Sequence, residues 1–274
     1  MTYGVIIGER GDPGRWKRER RLFRRGPGTP YRKLQTLGHL VRRDRRAVAR
    51  FLAAPYPVAR RERIGILRSF MHTTNAVRGY HTLTEMLLVA DRVFRLAGRP
   101  GLTIVEAGAA SGASTAKLSL LARAAGGHLH VFDTFRGIPE NTERHELLDG
   151  TPIRFVKGAF RGRLGAVERR VTAFGAIEVC TFHKGLFEHT LPGFDSPIDV
   201  ALLDVDLVQS TRECVRSLYP RLRPGGCILS QDGHLRATHD LLNDPRFWRD
   251  EVSREQPIVH SLRGDKMLEL RAPD

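Results

Sequence analysis

The chain has 274 residues, 41% of them hydrophobic, enough to bury a sizeable core in one main domain plus an extension. No run approaches the roughly 20 apolar residues of a membrane-spanning helix and the amino terminus lacks a signal-peptide core, so the sequence reads as a cytoplasmic protein without a membrane span. The net charge of +15 sits almost wholly at one end: residues 1–70 hold 19 Lys+Arg against 5 Asp+Glu, and residues 71–274 hold 26 against 25.

Residues 1–30 contain Gly-Asp-Pro-Gly and Gly-Pro-Gly-Thr-Pro and read as a loose arm with a short helix. The spacing predicts helices over 31–54 and 58–71, broken at Pro55-Tyr-Pro57. The basic runs 15–25 and 41–46 could meet nucleic acid, an acidic protein or a membrane surface. Arginines outnumber lysines 39 to 6 and aromatics are too few for a base-stacking platform, which favours a solvated helical extension over residues 1–70. Residues 71–274 then form the main domain. Within it, residues 82–96 are predicted helical, with Leu83, Leu87, Ala90, Val93, Phe94 and Ala97 on one face, and Gly98-Arg-Pro-Gly101 ends the element.

Next comes Ile104-Val-Glu-Ala-Gly-Ala-Ala-Ser-Gly-Ala-Ser-Thr-Ala-Lys117: an apolar run, an acid, a turn of small residues, then a helix former. This is a strand-turn-helix nucleoside site, in which Gly108 and Gly112 take dihedrals closed to other residues and Ala109 leaves room for a ligand. A pyrophosphate-binding turn needs Gly-x-Gly-x-x-Gly. Here Glu106 stands inside the turn, where it would repel pyrophosphate and suit the cationic methionine portion of S-adenosylmethionine. A second strand, residues 128–133, ends in Asp133, the position that holds ribose hydroxyls in such sheets.

Residues 134–160 carry Gly137, Pro139, Gly150 and Pro152 and read as an irregular lid or substrate loop. A helix over 163–174, strands over 177–182 and 198–204, a helix over 210–221 and a strand over 227–230 follow. Strands over 257–262 and 266–271, joined in hairpin fashion by Arg263-Gly-Asp265, close the chain. The pattern is α/β: a Rossmann-like, doubly wound sheet of about seven strands, mostly parallel with one antiparallel edge strand, behind a helical amino-terminal extension. Cys180, Cys214 and Cys227 fit no metal spacing and read as buried reduced thiols.

Ligands of open sheets bind beyond the carboxyl ends of strands, which draws notice to Asp133, to Asp204 with Asp206, and to Gln231 with Asp232. Asp204, Asp232 and the amide oxygen of Gln231 would make an oxygen cage for Mg²⁺. Such an ion would acidify an acceptor hydroxyl, leaving His234, or Asp206, to take its proton. The plainer alternatives are that Asp206 caps the helix near Ser210 and that His234 packs beside a helix from Leu235.

Glu106-Ala-Gly-Ala-Ala-Ser-Gly-Ala-Ser114, Phe132-Asp-Thr-Phe-Arg-Gly-Ile-Pro139, Lys184-Gly-Leu-Phe-Glu-His-Thr-Leu-Pro192, Leu203-Asp-Val-Asp-Leu-Val-Gln-Ser-Thr211 and Tyr219-Pro-Arg-Leu-Arg-Pro-Gly-Gly226 occur in this order. Together they resemble the macrocin O-methyltransferase family. The resemblance implies methylation of a sugar hydroxyl of a natural product, with S-adenosylmethionine and Mg²⁺ and as a homo-oligomer. It implies cofactor contacts from Glu106, Gly108, Gly112, Ser114 and Asp133, with Ala109, Thr134 and Asp204 beside them, and places Gly185 and Phe187 near the adenine. It also implies metal ligation by Asp204 and Asp232. Two departures stand out: Asp204-Val-Asp-Leu-Val208 where the family has Asp-Gly-Asp-Leu-Tyr, and Gln231-Asp232 where it has paired aspartates. The second weakens one ligand from carboxylate to amide. Methyl transfer to a small-molecule carboxylate without metal is therefore the first rival reading, and methylation of nucleic acid through the basic arm the second.

Overall fold

The computed structural model of the chain describes residues 5–7, 44–262 and 266–272. The loose arm read over 1–30, apart from residues 5–7, the helical reading of 31–43 and the turn at Arg263-Gly-Asp265 lie outside the described residues. A strand, Val5–Ile7 (β1), and three helices, Arg45–Ala53 (α1), Arg60–Ala76 (α2) and Leu83–Arg95 (α3), precede the main sheet. Helix α3 starts on a capping box: the Thr82 hydroxyl accepts from Glu85 N–H, and Thr82 N–H donates to the Glu85 carboxylate at 2.7 Å. Helix α2 runs across the boundary expected at 70/71, and its Ile66, Leu67 and Phe70 join the same core as α3 and the sheet.

Thr103–Ala107 (β2), Ala113–Ala125 (α4) and His128–Asp133 (β3) then form the expected strand-turn-helix-strand unit. The chain continues through His145–Glu146 (β4), Pro152–Phe155 (β5), Leu164–Phe174 (α5), Cys180–Lys184 (β6), Phe187–Thr190 (α6) and Ile198–Leu203 (β7). Val208–Leu218 (α7), Leu222–Ser230 (β8), Arg236–Leu242 (α8), Val259–Leu262 (β9) and Met267–Arg271 (β10) complete it. The main sheet has seven strands in the order β6-β3-β2-β7-β8-β10-β9. β2 and β7 are buried at every position, as parallel strands covered on both faces must be. One core cluster joins the sheet to α1–α5; a second, on the other face, gathers Val105, Phe132, Leu203, Val215 and Trp248.

The seven-stranded, mostly parallel sheet matches the expectation, with one refinement. The antiparallel strand β10 lies one place in from the edge, between β8 and β9, so the edge strand β9 runs with the parallel set. Element ends also shift. The strand read over 177–182 begins at Cys180 after a 3₁₀ turn, and the helix read to Arg221 ends at Leu218, because Pro220 has no N–H to continue it and sits in a 3₁₀ turn. Within the segment 134–160, otherwise turns and irregular chain, the two short strands β4 and β5 pair antiparallel and β1 adds to β5 in parallel, making a small second sheet.

Candidate active site

The strand order reverses between β2 and β7, and the candidate residues gather at the carboxyl ends of these strands and their neighbours. Gly108 takes φ +91, and a Cβ there would lie 2.1 Å from the carbonyl oxygen of Asp204. The glycine is thus required by the approach of the neighbouring strand end. Gly112, at φ +83, starts α4, and a Cβ there would meet Val167 at 2.9 Å. Glu106 is 1% exposed and, among the described residues, neither carboxylate oxygen has a hydrogen-bond partner. Burial pushes its pKa up to about 8; the hydroxyls of Ser114 and Thr115 oppose the rise, and the carboxylates of Asp133 and Asp204 add to it. A buried acid with only these two hydroxyls beside it suits the ammonium or sulfonium of the expected nucleoside.

Asp133 is held in place by backbone donors. Its Oδ2 accepts from Ala109 N–H at 2.7 Å and Ala110 N–H at 3.2 Å, and its Oδ1 from Phe135 N–H at 2.5 Å. It therefore ties the glycine turn to the end of β3. Burial raises its pKa against the pull of these three donors. Thr134 closes the next turn, its hydroxyl donating to the Gly137 carbonyl. Gly185 N–H donates to the Asp133 carbonyl, which sets Gly185 and the half-buried Phe187 beside the β3 end, with the Leu186 side chain exposed next to them.

The acids of the second half converge. One carboxylate oxygen from each of Asp204, Asp206 and Asp232 lies within 4.8 Å of the other two. Asp232 Oδ2 accepts from Val205 N–H at 3.0 Å and Asp206 N–H at 3.1 Å, and Asp206 holds φ +61. Burial, then the charge of Asp204, pushes Asp232 up to about 7; burial and the same neighbours raise Asp206 well above the carboxylate range. Three acids so placed repel one another, and a divalent cation would relieve them. Gln231 is 2% exposed, and neither of its amide atoms has a partner among the described residues. Asp206 does not cap α7, whose amino end is held instead by Glu143, with Val208 N–H and Gln209 N–H donating to it at 2.8 and 3.1 Å. His234 Nδ1 lies 3.2 Å from the Gln231 carbonyl, an acceptor only, so the proton sits on Nδ1 and Nε2 is left as a base.

Three residues the sequence reading did not single out complete the site. His81 Nε2 is 3.5 Å from Asp204 Oδ2, and burial lowers its pKa. Tyr80 packs edge-on against Phe160 at 5.0 Å. Lys266 Nζ lies 3.5 Å from Glu85 Oε1, and the Lys266 carbonyl accepts from Gly233 N–H. The signal for the first two was available: α3 leads by a short turn into β2, so its amino end lies at the carboxyl end of that strand, and Tyr80-His81 directly precede the Thr82 cap.

A sequence profile described as Macrocin-O-methyltransferase (TylF) matches residues 72–258. The chain belongs to that family. Macrocin O-methyltransferases are S-adenosylmethionine-dependent methyltransferases, and the resemblance read from the motifs is borne out. The chain is 31% identical over 155 residues to the 8-demethyl-8-(2,3-dimethoxy-alpha-L-rhamnosyl)-tetracenomycin-C 4'-O-methyltransferase of Streptomyces olivaceus, a stretch covering 54% of this chain and 59% of the relative. It thus spans less than two thirds of that relative's length. Among solved structures, the O-methyltransferase NovP superposes with a TM-score of 0.56 at 21% identity, over 69% of this chain and 79% of NovP. The calicheamicin methyltransferase CalS11 does so with 0.52 at 17% identity, over 90% and 95% of the two chains. At these identities the two likenesses show a shared fold. Among the described residues, no helix is long and apolar enough to cross a membrane.

Proposed function

We propose that this chain transfers a methyl group from S-adenosylmethionine to a hydroxyl on the sugar of a secondary metabolite. The observation that carries the reading is the convergence of Asp204, Asp206 and Asp232 within 4.8 Å, at strand ends next to the unpaired Glu106 carboxylate. The Streptomyces olivaceus relative, by its name, methylates a rhamnosyl hydroxyl, and this supports the acceptor class. The same reading sets the enzyme in the cytoplasm as a homo-oligomer, the setting expected from the sequence.

The donor's chemistry, when bound, is an electrophilic methyl on a sulfonium. Glu106 would balance the cationic methionine end, with Ser114 beside it. Asp133 holds Ala109 and Ala110 in place while Gly185 and Phe187 frame the adenine side. Asp204, Asp206 and Asp232 would hold Mg²⁺, with the Gln231 oxygen as a further neutral donor; such an ion supplies acidity to a hydroxyl it touches. His234, with Nε2 free, accepts the acceptor proton, Asp206 being the alternative. Most of the acceleration would come from holding hydroxyl, methyl and sulfur in line.

One observation favours a second reading. The neutral Gln231 suits methylation of a carboxylate, which needs neither base nor metal. The deciding experiment measures methyl transfer to a rhamnosylated polyketide acceptor and to its carboxylic-acid analogue, each with Mg²⁺ and with EDTA. Hydroxyl methylation abolished by EDTA supports the first reading; turnover of the acid alone, indifferent to chelator, overturns it.

A further inference from the structure

The segment expected to be a lid is fastened on both sides of the acidic cluster. Ile138, Ile153, Phe155 and Ala159 form a small core with Leu207, which follows Asp206, and Leu235, which follows His234. Leu148 N–H donates to the His234 carbonyl at 3.1 Å, Leu147 bridges to Leu235, and Arg236 donates to the Leu148 carbonyl at 2.8 Å. On the other side stands Glu143. Its two oxygens accept from Val208 N–H and Gln209 N–H, capping a helix whose own N-cap residue, Leu207, makes no side-chain cap. Glu143 is in turn fixed from behind: its N–H donates to the Asn141 side chain, which donates to the Pro139 and Phe155 carbonyls, and the buried His145 Nε2 lies 2.9 Å from Oε2.

We infer that Glu143 is a positioning residue for the acidic cluster: through α7 it fixes the 204–208 turn, so that Asp204 and Asp206 stay aimed at Asp232. A carboxylate 65 residues away along the chain is a costly way to cap a helix if capping alone were needed, since Ser, Thr or Asp at position 207 would suffice. What a remote cap adds is a fixed distance between the small sheet and the turn that bears the acids. The turn is already strained at Asp206, φ +61, so without an anchor it has an easier conformation to relax into.

The inference rests on the proposed role of Asp204, Asp206 and Asp232, and its test separates the two. On the full chain, Glu143→Ala and Glu143→Gln are compared with the parent by amide hydrogen exchange, Mn²⁺ binding by electron paramagnetic resonance, and S-adenosylhomocysteine binding by calorimetry. In Glu143→Ala the amides of Val205 and Asp206 should exchange about 10-fold faster or more, since two hydrogen bonds to a charged acceptor are lost. Mn²⁺ should bind about 10-fold more weakly, the usual effect of removing a group that orients metal ligands, with S-adenosylhomocysteine affinity changed by no more than about twofold. Glu143→Gln keeps one amide oxygen as an acceptor and should fall between. Unchanged protection at Val205 and Asp206, or nucleoside affinity lost in step with Mn²⁺ affinity, overturns the positioning role. A parent chain that takes up no Mn²⁺ sinks the metal reading instead, and the exchange rates alone then decide the inference.

Discussion

The carbonyl oxygen of Asp204 stands 2.1 Å from where a Cβ on Gly108 would be. Two strand ends that bear the candidate chemistry are thus in backbone contact, and the donor side and the acceptor side of the site cannot move apart independently. Gly108→Ala must displace Asp204 or distort φ +91. We expect a loss of roughly 3 kcal/mol or more, a fall of about 6 °C or more in Tm, together with weakened turnover. Gly126→Ala, at φ +73 with nothing within 4 Å, isolates the dihedral strain alone and should cost about 1 kcal/mol. Equal losses for the two variants would show that the contact with Asp204 is slack.

Glu106 makes stability depend on pH in a definite sense. Its folded pKa, about 8, lies above that of an unfolded carboxylate, so the stabilising protonated form is fully present below the unfolded value and is lost as pH rises through about 8. Glu106→Gln removes the titration. The variant should melt with the parent near about pH 4 and progressively above it toward about pH 9, as read by calorimetric Tm at each pH. A difference that does not vary with pH would mean the carboxyl is solvated in the folded chain.

The same shift predicts proton release on binding. A cationic group against Glu106 favours its ionised form, so uptake of S-adenosylmethionine near pH 7 should expel close to one proton from the Glu106 carboxyl and tighten as pH rises toward about 8. Calorimetry in two buffers of different ionisation enthalpy counts the protons. Binding with no linked proton would place the methionine end elsewhere.

The strand-turn-helix at 103–125 and the acid ending β3 were legible because each rests on local chemistry: apolar runs, small residues and a left-handed turn at Gly112. The acids at 204, 206 and 232 were legible as candidates by the same token. What the chain does not display is which side chains already have backbone partners: Asp133 gives one oxygen to backbone donors 23 and 24 residues away and the other to Phe135 N–H, and Asp206 converges with Asp204 and Asp232. The small sheet was missed because Gly137, Gly150 and the prolines signal turns, while β4 and β5 are two and four residues long and find their partners only in three dimensions. The position of His81 could have been reasoned out from the direction of α3, had helix polarity been combined with the sheet's ligand-binding end.

His234 offers a division between chemistry and binding. With Nδ1 bound to the Gln231 carbonyl, only Nε2 can take a proton, and burial keeps the ring below its ordinary pKa and so neutral at pH 7. His234→Gln should lower kcat by about 100-fold, the ordinary worth of a positioned general base, and leave S-adenosylhomocysteine affinity within about twofold. Asp204→Asn should lose turnover to a similar or greater extent and also blunt its response to Mg²⁺. If His234→Gln retains kcat, the proton passes to Asp206.

Gln231 is the site's sharpest departure, and restoring a carboxylate there tests whether the acids serve a cation. Gln231→Asp adds a fourth acid beside Asp204, Asp206 and Asp232, where burial already raises Asp206 and Asp232. Without metal the added charge can only increase repulsion, so the variant should melt lower than the parent in EDTA. With metal the sign reverses: a hard divalent cation prefers carboxylate to amide oxygen, and Mn²⁺ should bind about 10-fold more tightly, as one further charged ligand typically provides. The crossing of the two melting curves as Mn²⁺ is added is the signature to look for. A variant less stable than its parent at every metal concentration would mean that the three aspartates do not share an ion, and that the neutral amide belongs to a site working without one.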